Sequence, residues 1–253
     1  MILETISTAH LVRDGVAIVL IALTTAGVAR FTHIALGWAS VTAILRAMVQ
    51  LAVIALALRG ILSAPGTVAI FVLLMLTTAS WTAGGRVREL WQGRRAAAFA
   101  VLIGSSFAVT LVFVLQLVPL GVRYIVAIGG IVIGNAMSAA TLAGRNFLRS
   151  ARARHGEIEG WLALGASPTR AVQEIVRDSV RESLLANLDQ TRATGLVTLP
   201  GAFVGALFGG LDPVSAAVFQ LTVLSAVALA MLISALVVTH WVARAPVLPE
   251  PTV

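Results

Sequence analysis

Seven stretches of this chain are almost continuously apolar, and they leave few folds open. They run at about Gly15–Ala29, Trp38–Leu58, Gly66–Trp81, Ala96–Leu117, Tyr124–Ala143, Leu196–Leu207 and Val214–Val242. A helix that crosses a bilayer needs roughly 20 such residues. The runs lack the apolar–polar alternation of a membrane barrel strand. Only 11% of the residues are charged, 58% are hydrophobic, and the mean hydropathy is +0.96. A soluble domain carries about 25% charged residues. The sequence therefore predicts an all-α membrane protein of about seven transmembrane helices, built as a single transmembrane domain over residues 1–253. The N-terminal stretch has Glu4 and Asp14 against Arg13 rather than a basic leader, so the first run reads as an anchor.

Charge placement sets an expected orientation. Arg86, Arg88, Arg94 and Arg95 fall between the third and fourth runs, and Arg145 to Arg192 supply eight more between the fifth and sixth. Basic residues collect on the cytoplasmic side of a membrane. This puts the protein in the plasma (inner) membrane as a multi-pass chain, N-terminus outside and C-terminus cytoplasmic. The proline-rich end, about residues 245–253, is expected to be disordered. The net charge of +7 is accounted for by this topology, since no separate basic domain exists to hold nucleic acid.

All 18 basic residues are arginine and there is no cysteine. A phosphate-binding loop that needs its lysine is therefore absent, as are lysine Schiff-base chemistry, thiolate metal sites and a cysteine nucleophile. No nucleophile–base–orienter set occurs, and no His/Asp/Glu cluster has ligand spacing. The chain reads as a non-enzyme with no cofactor of its own; any ATP it uses must be hydrolysed on another subunit.

Most of the charge lies in about residues 146–192. Here Gly165 suits the left-handed position after a helix end, Ser167 can cap the next helix through its side-chain oxygen, and Pro168 fits its first turn. Val172, Val176, Val180, Leu184 and Leu188, with Ile175, form one apolar stripe. The pairs Glu174/Arg177 and Asp178/Arg181 are placed to meet across a turn. The expectation is a cytoplasmic helix–turn–helix.

Other polar residues sit within the runs. Arg46 and Gln50 lie one turn apart in the second, facing protein or water rather than lipid. Asn135, Met137, Ser138 and Thr141 end the fifth run among small residues, suited either to bonds between helices or to a passage wall. Pro200 and Gly201 interrupt the sixth, and Gln220 is a lone polar group in the last. Arg46, Gln50, Asn135, Met137, Ser138, Thr141, Pro200, Gly201 and Gln220 are the candidates for a translocation pathway.

Glu159-Gly-Trp-Leu-Ala-Leu-Gly165 resembles the Glu-Ala-Ala…Gly loop of ABC importer permeases, with Gly160 and Trp161 in place of the two alanines. Ile133-Gly-Asn-Ala-Met-Ser138, Leu162-Ala-Leu-Gly-Ala-Ser-Pro168, Arg177-Asp-Ser-Val-Arg181, Thr194-Gly-Leu-Val-Thr-Leu-Pro-Gly201 and Gly209-Gly-Leu-Asp-Pro213 follow in order. Together they resemble the iron-export ABC permeases of bacteria, a family that includes plant aluminium-tolerance membrane subunits. The resemblance runs from about Arg46 to Ala235 and is specific from Ile133 to Gln220.

It implies a homodimeric permease with a separate cytoplasmic ATPase carrying ATP and Mg, exporting iron or another metal ion. The loop would be the coupling helix, with Glu157, Glu159, Leu162, Gly165, Ala166, Ser167, Pro168, Arg170, Arg177 and Arg181 facing the ATPase. A sugar nucleotide or other solute is the alternative cargo. The residues also leave open an ion-coupled carrier, or a membrane scaffold with no substrate, though Glu89, Asp189 and Asp212 all fall at the edges of runs.

Overall fold

A computed structural model describes residues 8–34, 38–61 and 65–246. The final residues of the expected disordered tail, 247–253, lie outside the described residues. The chain divides into two compact units, with the boundary between Ile61 and Pro65.

The first unit is a pair of helices, α1 (Thr8–Phe31) and α2 (Ala39–Ile61). Gly15 of α1 lies against Met48 of α2, where its missing side chain leaves room for the methionine. Thr24, Thr25 and Thr42 each return their hydroxyl to a carbonyl four residues back. In this way apolar helices carry hydroxyls without exposing an unpaired donor.

The second unit holds α3 (Pro65–Arg86), α4 (Gly93–Val114), α5 (Val122–Ala153), α6 (His155–Ala163), α7 (Pro168–Ala171), α8 (Gln173–Ala193), α9 (Gly201–Phe208) and α10 (Pro213–Val242). Helices α3 and α4 form an antiparallel hairpin, with Gly84 facing the Arg94 backbone. α10 runs alongside both α4 and α5. Near its start Phe219 packs edge-on to Tyr124 of α5, and near its end Trp241 stacks on Phe99 of α4 at 5.3 Å. Thus α5 and α10 point the same way and α4 opposes them. The end where α4 begins and α5 and α10 finish carries Arg86, Arg88, Arg94, Arg95, Arg149 and Arg152; it is called the arginine end below.

Small residues set the helix spacing. A side chain at Gly104 would stand 2.1 Å from the Ser234 hydroxyl, so α4 and α10 touch backbone to backbone there. Ser234 uses the contact to donate to the Ala100 carbonyl at 2.9 Å. Two apolar clusters fill the unit. One, toward the arginine end, includes Val87, Ala97, Ala143, Phe147, Ile158, Ile175 and Val242. The other, toward the opposite end, includes Val112, Ile128, Val132, Val223 and Met231.

Among the described residues six helices are long and apolar enough to cross a membrane: α1 to α5 and α10. The expected sixth run, Leu196–Leu207, is not a continuous span. Pro200 lacks the N–H a helix interior requires, so the chain arrives extended at Pro200 and only the eight residues of α9 follow as helix. The other departure is α5, which continues past the apolar run ending at Ala143 to reach Ala153. That extension carries the start of the charged segment beyond the apolar run.

Candidate functional site

Residues 154–193 build a corner on the extended end of α5. The short helix α6 stops at Gly165, whose φ of +87° needs a residue without Cβ. The Gly165 N–H donates to the Leu162 carbonyl and the Ala166 N–H to that of Trp161, which closes the last turn as a Schellman cap. Pro168 then starts α7 as its spacing predicts. Ser167 sits at the cap position, but its hydroxyl makes no capping bond; it lies 3.3 Å from the Thr169 hydroxyl instead. The four-residue α7 ends at Val172, where φ of −104° breaks the axis, so the helix predicted to run from Pro168 restarts at Gln173.

The apolar stripe holds for its first half. Val172, Ile175, Val176 and Val180 are buried, Leu184 is half-buried, and Leu188 is exposed. Ile158 and Ala171 join them, seating the corner in the same cluster that lines the arginine ends of the spans.

The expected pairs Glu174/Arg177 and Asp178/Arg181 do not form. Arg154, at the end of α5, takes both acids: its guanidinium lies 2.9 Å from Glu174 and 3.6 Å from Asp178. It also donates to both oxygens of Glu157, at 2.7 and 3.0 Å. A planar five-donor group can serve three carboxylates at once, and its position between helices outcompetes neighbours along one helix. These bonds hold the Glu157 carboxyl below its ordinary range and push the Arg154 pKa up. The sequence signal for this hub is Glu157 three residues after Arg154; the other two acids come only with the fold. A second tie, Arg152 to Glu89 at 3.1 Å, fastens α5 to the α3–α4 loop.

With those acids engaged elsewhere, Arg177 and Arg181 stand exposed with no carboxylate among the described residues. Arg170 is exposed and donates to Gln173 at 2.6 Å. Glu159 lies 3.5 Å from His155. Leu162 leans on the core and Ala166 is half-buried. At the tip, Trp161 is 47% and Leu164 83% exposed, an apolar pair that hydropathy counts as part of a helix face. The corner thus presents two bare apolar side chains beside uncompensated arginines.

The residues expected in the spans divide between the two units. Arg46 and Gln50 are exposed on α2, and no hydrogen bond joins them. In the second unit, Asn135, Ser138 and Thr141 do not bond across a helix contact. Each donates back to its own helix, to the carbonyls of Ile131, Gly134 and Met137. Small neighbours allow that geometry, and it leaves Asn135, Met137 and Ser138 half-buried while Thr141 is buried. Gln220 is 5% exposed and accepts from the Phe203 N–H at 3.0 Å, filling an orphan donor in the first turn of α9. Gly210 at φ +93° and the Asp212 carboxylate then turn the chain into α10, Asp212 accepting from the N–H groups of Val214 and Ser215. Hydrogen bonds from Ser215, side chain and backbone, hold that carboxyl below its ordinary range. Among the described residues no three His, Asp or Glu side chains are grouped to hold a metal ion.

Residues 12–246 match the family described as "Uncharacterised protein family (UPF0014)". The chain belongs to that family. Within it the chain is 33% identical over 200 residues to the UPF0014 membrane protein STAR2 of Oryza sativa subsp. japonica, covering 78% of this chain and 70% of the relative. It is 31% identical over 197 residues to Protein ALUMINUM SENSITIVE 3 of Arabidopsis thaliana, covering 77% and 72%. To the probable iron export permease protein FetB of Escherichia coli (strain K12) it is 29% identical over 180 residues, covering 70% of each. No solved structure matches. The chain is a multi-span membrane protein, related to these plant proteins and to a bacterial protein described as a probable iron export permease. A multi-pass architecture of this kind is consistent with residence in the plasma membrane.

Proposed function

We propose that this UPF0014 member is the membrane subunit of an ABC transporter that exports iron or another metal ion. A separate cytoplasmic ATPase, holding ATP and Mg, would dock on the corner from Glu157 to Arg181, with two copies of each subunit in the assembly. In this reading the arginine end is cytoplasmic, the N-terminus lies outside, and residues 1–253 act as one permease domain.

The observation that carries the proposal is the build of the corner. It is shaped by Gly165, clamped to α5 by Arg154, and rooted among the span ends through Ile158 and Ile175, while Trp161, Leu164, Arg177 and Arg181 face outward. An apolar knob with an arginine rim suits insertion into a groove on a partner, the rim tuning pairing more than affinity. Closure of two ATPases would push this lever and switch the spans between inward and outward access.

The test is reconstitution with the candidate ATPase, followed by ATP-dependent flux of iron, other metals and sugar nucleotides. Gly165→Val should abolish stimulation of ATPase turnover while membrane insertion persists. Normal stimulation by that variant refutes the docking assignment. A sugar nucleotide or other organic solute is the second reading for the cargo. It is favoured by the polar residues of α5, which are an amide and hydroxyls rather than the carboxylates and imidazoles that hard iron prefers.

A further inference from the structure

The second unit imposes a condition on the segment between α5 and α10. Helix α5 delivers the chain to the arginine end, whereas α10 starts at the opposite end, where Phe219 meets Tyr124. Residues 154–212 must therefore carry the chain back through the thickness of the bundle. None of the six apolar spans does this, and α9 at eight residues is about 12 Å long, less than half a bilayer core.

We infer that the second half of α8, the link 194–200 and α9 form a broken seventh crossing, whose polar part borders a water-filled passage. The depth of each piece follows from its contacts. Ile175, Val176 and Val180 belong to the cluster at the arginine end, and Leu184 touches both clusters, so α8 advances toward the midplane. At the far side Phe203 of α9 is tied to Gln220, two turns into α10. Residues 185–200 occupy the depth between.

From Asn187 to Thr194 the chemistry is wrong for lipid, whereas the exposed Leu196, Val197 and Leu199 that follow suit it. Asp189 and Arg192 form an exposed pair at 3.0 Å, Gln190 is exposed, and Thr191 and Thr194 follow on the same helix end. The Asn187 side-chain oxygen has no partner. Beyond Thr194 the backbone leaves the helix: Gly195 takes φ +89° and its N–H reaches only to Thr198. Non-helical backbone and charge at membrane depth persist only where they line a cavity or lie within protein. A wall with a carboxylate, a guanidinium, two amides and hydroxyls suits a small hydrated ionic solute and disfavours an apolar one.

The crossing itself does not depend on the transport reading; the identity of what passes rests on it. One rigid helix would then run from Glu174 and Asp178, held by Arg154, to the wall at Asn187–Arg192. Force on the α8 part of the corner, beyond the break at Val172, would reach the passage with no joint between.

The chain has no cysteine, so single cysteines can be placed in the otherwise native full-length protein. Asn187→Cys, Gln190→Cys and Thr194→Cys would be compared with Phe107→Cys on the exposed face of α4 and Arg177→Cys near the arginine end. Vesicles of both orientations would receive a small charged methanethiosulfonate reagent or a bulky polyethylene-glycol maleimide. The three test sites should react with the small reagent at least tenfold faster than Phe107→Cys, and the bulky reagent should label Arg177→Cys but not Asn187→Cys. Labelling as slow as at Phe107→Cys would put the segment in lipid, and bulky-reagent labelling at all sites would put it outside the membrane. Either result overturns the inference. The expected labelling together with no solute flux would count against the transport reading alone.

Discussion

Three glycines on packed helices separate what close approach demands from what it merely tolerates. At Gly104, an added Cβ would meet the Ser234 hydroxyl at 2.1 Å and the Ala230 carbonyl oxygen at 2.7 Å. The second of these is backbone and cannot rotate away. Gly104→Ala must therefore separate α4 from α10 or displace Ser234, whose bond to the Ala100 carbonyl contributes roughly 0.5–1.5 kcal/mol. Overpacking costs about 1–3 kcal/mol, against a gain of up to about 1 kcal/mol from replacing glycine in a helix. The net expectation is a loss of about 1–3 kcal/mol. At Gly144 an added Cβ would meet the Val87 methyl at 2.7 Å, with Leu90 Cδ1 at 3.3 Å and Val87 Cβ at 3.4 Å. Val87 is buried and stiff about χ1, so Gly144→Ala should also destabilise, though less than Gly104→Ala because no backbone atom is in the way. At Gly129 nothing lies within 4 Å, because the position opens on a cavity of about 170 Å³ lined by Val72, Leu76, Ser105, Val109 and Ile133. Gly129→Ala should stabilise by about 0.4–1 kcal/mol. Thermal unfolding of the three variants in detergent, followed by fluorescence-detected gel filtration, would rank them. If Gly104→Ala melts at or above the parent temperature, the α4–α10 contact is not as close as described and the argument fails.

Arg154→Gln should release Glu157, Glu174 and Asp178 together, seen as faster amide exchange over residues 155–175 with the spans unchanged; unaltered exchange would show that apolar seating alone fixes the corner. The same clamp is sensitive to acid. Glu157 ordinarily titrates near 4.5 and lower in the fold, chiefly because Arg154 donates to it, so its contribution is complete above that value and disappears as pH falls through the lowered folded pKa. Exchange at the corner should rise only in that acid window, and not in Arg154→Gln. Gln220→Leu keeps the volume but strips the Phe203 N–H of its acceptor, so α9 should become more susceptible to proteolysis while α10 persists; full protection of α9 would assign Gln220 no capping role.

The parts legible in the sequence are those decided within a single helix. Five long apolar runs plus the last one became the six spans, and Gly165 and Pro168 marked the end of α6 and the start of α7, because these signals are local; the Ser167 hydroxyl cap expected beside them does not form. Pairing across elements was not legible. The i, i+3 rule assigned Glu174 to Arg177, and only the fold brings Arg154 beside it. Asn135, Ser138 and Thr141 had equally good partners in their own backbone, and took them. Hydropathy placed a span at Leu196–Leu207 because it weighs side chains and ignores the N–H that Pro200 lacks. Average hydropathy also passes over α8, where surrounding charges dilute the stripe of Ile175, Val176 and Val180 that helical spacing does reveal.

Helix α5 is 32 residues, about 48 Å of unbroken rod against a hydrocarbon core of about 30 Å. Its surplus stands clear of the membrane and ends in the guanidinium that gathers three acids. A rod of that length, pivoting near its middle on the small buried residues Ala136, Ala139 and Ala140, would convert a slight nudge at its outer tip into an opposite swing at its far tip. Stiffness, rather than a hinge, would then set how much of a cytoplasmic stroke arrives on the far side of the cell boundary. A proline placed between Gly144 and Arg149 would turn the crowbar into a chain link.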